Sequence, residues 1–110
     1  MDAYSPFHID VRSHNGSVVI AVVGELDVAG ARQMQPCIDA ALEASAGSLV
    51  LDLGDTTFID SSGISALLAA RQKAVRAGGQ LHLTRVRPQA RRVFELSGVD
   101  HALTEVDLTP

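Results

Sequence analysis

The residues in this chain best suited to chemistry are Asp60, Ser61, Ser62 and Gly63: a carboxylate, two hydroxyls and a glycine in an unbroken run. They stand where a helix begins. A serine at that position is exposed, and the free amides and dipole of a helix N-terminus favour an added anion. A phosphate would bring about −1.5 to −2 charges. Beside Asp60, a surface with one negative charge would then hold roughly three within a single turn. That is a switch in principle. The same run also fits a plain N-terminal cap, because Ser and Asp lead at that position and either Ser61 or Ser62 can accept a first-turn N–H.

Other chemistry finds little footing. A hydrolase needs an activated nucleophile with a base in reach, and Asp60-Ser61-Ser62-Gly63 lacks the Gly-x-Ser-x-Gly elbow. His8, His14, His82 and His101 fall in four separate elements with no triad or ligand spacing. Gly24 and Gly30 are isolated and Gly78-Gly79 follows a helix, so no phosphate-cradling loop is expected. No His-x-x-x-His or clustered carboxylates suggest a metal, and the lone Cys37 excludes a disulfide or cysteine metal site. The expectation is a chain with no catalytic residues, no cofactor and no metal.

The elements that must position the serine run follow from periodicity. Leu49, Leu51 and Leu53 share one face of a short buried strand, and Gly54 to Ile59 reads as a polar connector. Ile64, Leu67, Leu68, Arg71 and Val75 recur at helical steps, giving a helix from about Ser61 to Ala77 that Gly78-Gly79 ends. Earlier in the chain, Phe7, Ile9 and Val11 alternate with polar residues, and Asn15-Gly16 is a hairpin signal. The strand from Ser17 to Val23 is apolar on both faces and so belongs inside a sheet. Asp27 is placed to cap a helix carrying Val28, Ala31, Met34, Ile38, Ala41 and Leu42 on one stripe, which Glu43 to Gly47 closes. Pro36 predicts either a kink near Arg32 to Gln35 or a helix that starts at Pro36.

Gln80 to Thr84 is a strand, and Pro88 opens a last helix with Val93, Phe94 and Leu96 as its apolar side and Gly98 as its stop. Ala102 to Val106 reads as a short final strand and residues 107–110 as a tail. Strands alternating with helices imply right-handed crossovers in a mostly parallel sheet.

The 110 residues suit one domain spanning 1–110, and 46% apolar with 20% charged is ordinary for a globular fold. A net charge of −4, with no Trp and one Tyr, argues against nucleic acid, which asks for a basic stripe and stacking platforms. Residues 1–60 hold two arginines against nine acids, and residues 61–110 hold seven bases against four acids, an asymmetry that suits a protein partner. No signal peptide is expected, and the run Val18 to Val23 is far too short to span a bilayer. A cytoplasmic monomer with no direct membrane insertion is the expectation.

Phe58 to Leu68, read as Phe-Ile-Asp-Ser-Ser-Gly-Ile-Ser-Ala-Leu-Leu, resembles the signature of the sulfate-transporter and anti-sigma-factor-antagonist (STAS) domain. Gly24-Glu25-Leu26-Asp27 is similar to the family's motif after its second strand, and Phe94 to Val99 to its last helix and exit. The resemblance covers roughly residues 7 to 106. It implies an α/β fold: a single STAS domain with a mixed, mostly parallel sheet of about five strands, an N-terminal antiparallel hairpin, and three to four flanking helices.

By resemblance, the chain would be an anti-sigma factor antagonist. Its unphosphorylated form would bind an anti-sigma factor with serine kinase activity and so release a sigma factor. Phosphorylation at Ser61 would switch it off, and a PP2C-type, metal-dependent serine phosphatase would reverse the change. Asp60, Ser61 and Ser62 match the family's acidic residue, phosphoacceptor and following Ser/Thr. Gly63 would give a kinase access to the turn, and Asp27, on the neighbouring loop, would share the partner surface or simply cap its helix. Two other readings stay open: the STAS-type subunit of a lipid-transport ABC complex, needing no phosphorylation, and a small-molecule or nucleotide sensor with a pocket between the Asp27 and Ser61 loops.

Overall fold

Asn15 and Gly16 both take positive φ (52° and 86°), the conformation of a two-residue hairpin turn, and fold strand β1 (His8–His14) back on β2 (Ser17–Leu26). The computed structural model describes residues 7–45 and 48–108. After the hairpin come helix α1 (Val28–Ser45), β3 (Leu49–Asp52), β4 (Thr56–Ile59), α2 (Ser61–Arg76), β5 (Leu81–Thr84) and α3 (Pro88–Leu96). The expected exit of the first helix at Ala46-Gly47 and the end of the tail, 109–110, lie outside the described residues.

The sheet has the order β1-β2-β3-β5, antiparallel between β1 and β2 and parallel elsewhere, with β4 also pairing β2 in parallel. Ile20, Val22, Leu51, Leu53 and Leu83 line the face that carries the core, and Met34 and Ile38 of α1 and Leu67, Ala70 and Ala74 of α2 pack over them. By the two-residue period of the strands, Asp10, Arg12, Val19, Val50, Asp52 and Thr84 take the other face.

Several expectations need correction. The connector between Gly54 and Ile59 contains a strand, β4, which extends the sheet beyond the end of β3. Thr56 pins it by donating its hydroxyl to the Val22 carbonyl at 2.6 Å. The α1 helix is continuous through Pro36, so it does not start there; the carbonyl of Arg32 simply loses the N–H it would have bonded. On α2 the buried stripe is Ile64, Leu67, Ala70 and Ala74, leaving Val75 exposed; Leu96 of α3 is exposed too, and Ala90 and Phe94 do the packing. The expected last strand is a single bridge between Leu83 and Glu105.

Glu105 secures that C-terminal segment. Its carboxylate accepts from the Arg91 guanidinium and, at 3.0 Å, from the Val86 N–H. The Arg91 bond first, opposed by partial burial and helped by the Val86 N–H, holds the Glu105 carboxyl below its usual value of 4.5. A depressed carboxylate stabilises the fold above its unfolded value and loses that contribution as pH falls through the folded one. Glu105→Gln is therefore expected to lower stability by less than about 1 kcal/mol at neutral pH, since the pair is largely exposed. The gap between variant and wild type closes on acidification; melting curves recorded down the pH scale check it.

Candidate functional site

Strands β2 and β4 run side by side and finish in register, Leu26 opposite Ile59. The next residue of each is an aspartate that caps the helix after it. Asp27 Oδ1 accepts from the Gly30 N–H at 2.9 Å, and Asp60 Oδ1 accepts from the Gly63 N–H at 3.0 Å. Each loop is thus a strand end, an Asp-x-x-Gly turn and a helix, and the register brings the two turns together at the carboxyl ends of parallel strands. That is where α/β folds place their recognition sites.

Both glycines are demanded by close approach. A Cβ on Gly30 would overlap the Glu25 carbonyl oxygen, and one on Gly63 the Leu26 carbonyl oxygen. Gly63 is buried beneath the turn, where the absence of a side chain lets α2 sit close against β2.

The cap is Asp60, and neither serine fills that role. Sequence could not separate these three, because Asp and Ser are equal candidates for a cap; the end of β4 at Ile59 decides it. The consequence is chemical. Ser61 becomes the first helical residue, exposed, and its hydroxyl makes no hydrogen bond among the described residues; Ser62, half-buried, makes none either. The α2 dipole and first-turn amides give Ser61 a locally positive backbone, with Asp60 adjacent and Asp27 on the neighbouring turn. An anion added to the Ser61 hydroxyl meets a helix end that tolerates it and a surface whose charge it multiplies.

Two apolar residues flank this face. Val28 follows Asp27, and Phe58, 50% exposed, sits two residues before Asp60. Behind Phe58 a cavity of about 160 Å³ opens between β4 and α3, lined by Thr56, Thr57, Phe58, Ile59, Ala90 and Val93. A connector reading of 54–59 misses Phe58; the β-branched and aromatic run Thr-Thr-Phe-Ile is its strand signal, and a register shift against β2 between Thr56 and Phe58 leaves Thr57 and Phe58 exposed between buried Thr56 and Ile59. No group of three or more His, Cys, Asp or Glu among the described residues is arranged to hold a metal, and no helix among them is long and apolar enough to cross a membrane.

Fold and face together define a small mixed α/β domain that displays a serine-bearing helix start at the carboxyl ends of its strands. A model of the family described as the STAS domain matches residues 8–109, and the chain belongs to that family. It is 31% identical over 84 residues to the anti-sigma F factor antagonist of Lysinibacillus sphaericus, covering 76% of this chain and 72% of that protein. An anti-sigma factor antagonist from Mycobacterium paratuberculosis shares the fold with a TM-score of 0.82 at 28% identity, over 98% of this chain and 92% of that one. SpoIIAA, an anti-sigma factor antagonist and Bacillus cell fate determinant, matches in its unphosphorylated form (TM-score 0.70, 24% identity, 94% and 90% of the two chains) and its phosphorylated form (0.68, 24%, 93% and 92%).

Proposed function

We propose that this chain is an anti-sigma factor antagonist switched at Ser61. Its unphosphorylated form binds an anti-sigma factor through the paired turns that carry Asp27, Asp60, Ser61 and Ser62, and a sigma factor is released. The anti-sigma factor, a serine kinase, transfers the γ-phosphoryl group of ATP to the Ser61 oxygen, which gives up its proton, and the complex parts. A PP2C-type phosphatase resets the domain. On this reading the chain is a substrate and a ligand, not a catalyst, and works in the cytoplasm without contacting nucleic acid.

The observation that carries the reading is the Ser61 hydroxyl: exposed, at the first position of α2, and released from capping by Asp60. A serine needed as a cap would tie phosphorylation to helix unravelling. Here the modification acts on the surface alone, through local charge. The named relatives support the same function, and the half-exposed Phe58 and Val28 give a partner apolar area beside the switch.

The test incubates the purified chain and labelled ATP with each serine-kinase anti-sigma factor of its source, one at a time. Wild type and Ser62→Ala are expected to take up label that a PP2C-type phosphatase removes, and Ser61→Ala to take up none. Label retained in Ser61→Ala, or no transfer by any of the kinases, overturns the reading.

A further inference from the structure

β1 is the outermost strand on one side of the sheet, and the two sides end differently. Beyond β5 the C-terminal segment closes the edge: the Leu83 N–H donates to the Thr104 carbonyl at 2.8 Å and the Val106 N–H to the Leu83 carbonyl at 2.7 Å. Beyond β1, among the described residues, no strand pairs. An open edge is a template for another strand, and proteins usually guard one with charge. The guard here has a particular order: Asp10, then Val11, 57% exposed, then Arg12.

We infer that the outer edge of β1 is a self-pairing surface on which two copies of this chain join antiparallel about Val11, their sheets becoming continuous. A two-fold axis at Val11 sets Asp10 opposite Arg12 twice, on the same face of the sheet, with Val11 against Val11 and Ile9 against Ser13. Opposite charges directly across a strand pair attract and like charges repel. The neighbouring registers fail on that ground: an axis at Arg12 sets Arg12 against Arg12, and one at Asp10 sets Asp10 against Asp10. Charge order therefore selects one register, which an edge guarded only for solubility has no need to do. Both groups can turn to the new contact. Arg12, its side chain 52% exposed, reaches Asp52 at 3.7 Å, and among the described residues Asp10 has its ion pair with His8 Nε2 at 3.4 Å. The association is weak, because one strand pair buries little area, and it departs from the monomer expected from the sequence.

Sedimentation equilibrium of the purified chain, from about 10 µM to about 1 mM, spans the range of a small transient interface. Wild type is expected to rise reversibly towards twice its monomer mass. Asp10→Arg and Arg12→Asp, each setting like charges face to face, should weaken association at least about tenfold. The double variant Asp10→Arg/Arg12→Asp keeps the complementarity with its signs exchanged and should associate within about threefold of wild type. It shares with Arg12→Asp the loss of the Arg12–Asp52 contact, so its recovery separates pairing from stability, and melting curves confirm that each variant is folded. A mass that stays monomeric throughout, single variants that associate like wild type, or a double variant that stays as weak as the singles overturns the inference. The result does not depend on Ser61 or on any partner protein.

Discussion

Ser61→Asp is expected to bind its anti-sigma factor about a hundredfold more weakly than wild type, a difference of about 2.8 kcal/mol. Ser61→Ala should bind as wild type does and resist switching. The reasoning is local. Ser61 follows Asp60 directly, with Asp27 on the adjacent turn, and all three share the face at the ends of β2 and β4. Like charges about 4 Å apart repel by roughly 1 kcal/mol in water and about 4 kcal/mol at an effective dielectric of 20, the regime of a closing interface. One added carboxylate is enough. Its effect on the fold has the opposite sign: at the first position of α2 an anion interacts favourably with the helix dipole, so the melting temperature should hold or rise slightly. Lost binding with retained stability is the signature, read by titration calorimetry alongside thermal melts. Equal affinity of wild type and Ser61→Asp removes the switch, and a large fall in melting temperature would reassign the effect to unfolding.

How far the chain could be read from its sequence depended on the range of the interaction involved. Asn15-Gly16, the Asp27 cap and Pro88 at the start of α3 are local signals, and each holds its place in the structure. Strand Ser17–Leu26, apolar on both faces at its centre, lies between β1 and β3 as that pattern requires. The four-residue β4 carries little signal of its own, being short and set between Gly54 and Asp60; only its pairing with β2 makes it a strand. Val75 and Leu96 fall at helical steps in the sequence yet are exposed, because periodicity fixes an angle around a helix but not which neighbours cover it. The choice between Asp60 and the serines as cap turned on where β4 stops, so the freedom of the Ser61 hydroxyl was out of reach of motif reasoning.

Arg85→Leu is expected to destabilise the fold by about 2–3 kcal/mol, below the roughly 3–5 kcal/mol that breaking a fully buried pair costs. Asp52 and Arg85 stand 33 residues apart, and no spacing rule joins them. Asp52 closes β3 with its side chain 5% exposed, yet it is a carboxylate. It accepts from Arg85 Nε at 2.9 Å and Nη2 at 3.1 Å, and from the Gly54 N–H at 2.9 Å, with Arg12 farther off at 3.7 Å. The two-pronged contact, more than any other cause, holds the Arg85 guanidinium above its ordinary value. Removing Arg85 leaves the buried charge with one N–H and a distant arginine; because Arg85 itself is 59% exposed, solvent softens the loss.

The backbone supplies a second variant. Arg85 holds φ at 51°, a region that costs a non-glycine residue about 1–2 kcal/mol. Arg85→Gly loses the same ion pair but relieves that strain, and should fall less than Arg85→Leu. The double variant Asp52→Asn/Arg85→Leu removes the charge while keeping an acceptor for the Gly54 N–H, and should recover most of the loss. Urea denaturation reads all three as shifts of the midpoint at constant slope. If Arg85→Leu is as stable as wild type, the pair is surface decoration. If it falls and the double variant does not recover, the guanidinium is needed for its contacts with the turn and not for its charge. That turn runs from Asp52 through β4 to Asp60, and Thr56 and the Gly24 N–H bond to Asp55 also hold it to β2. The double variant should therefore present Ser61 as wild type does, which divides the groups that build the loop from those that carry the signal.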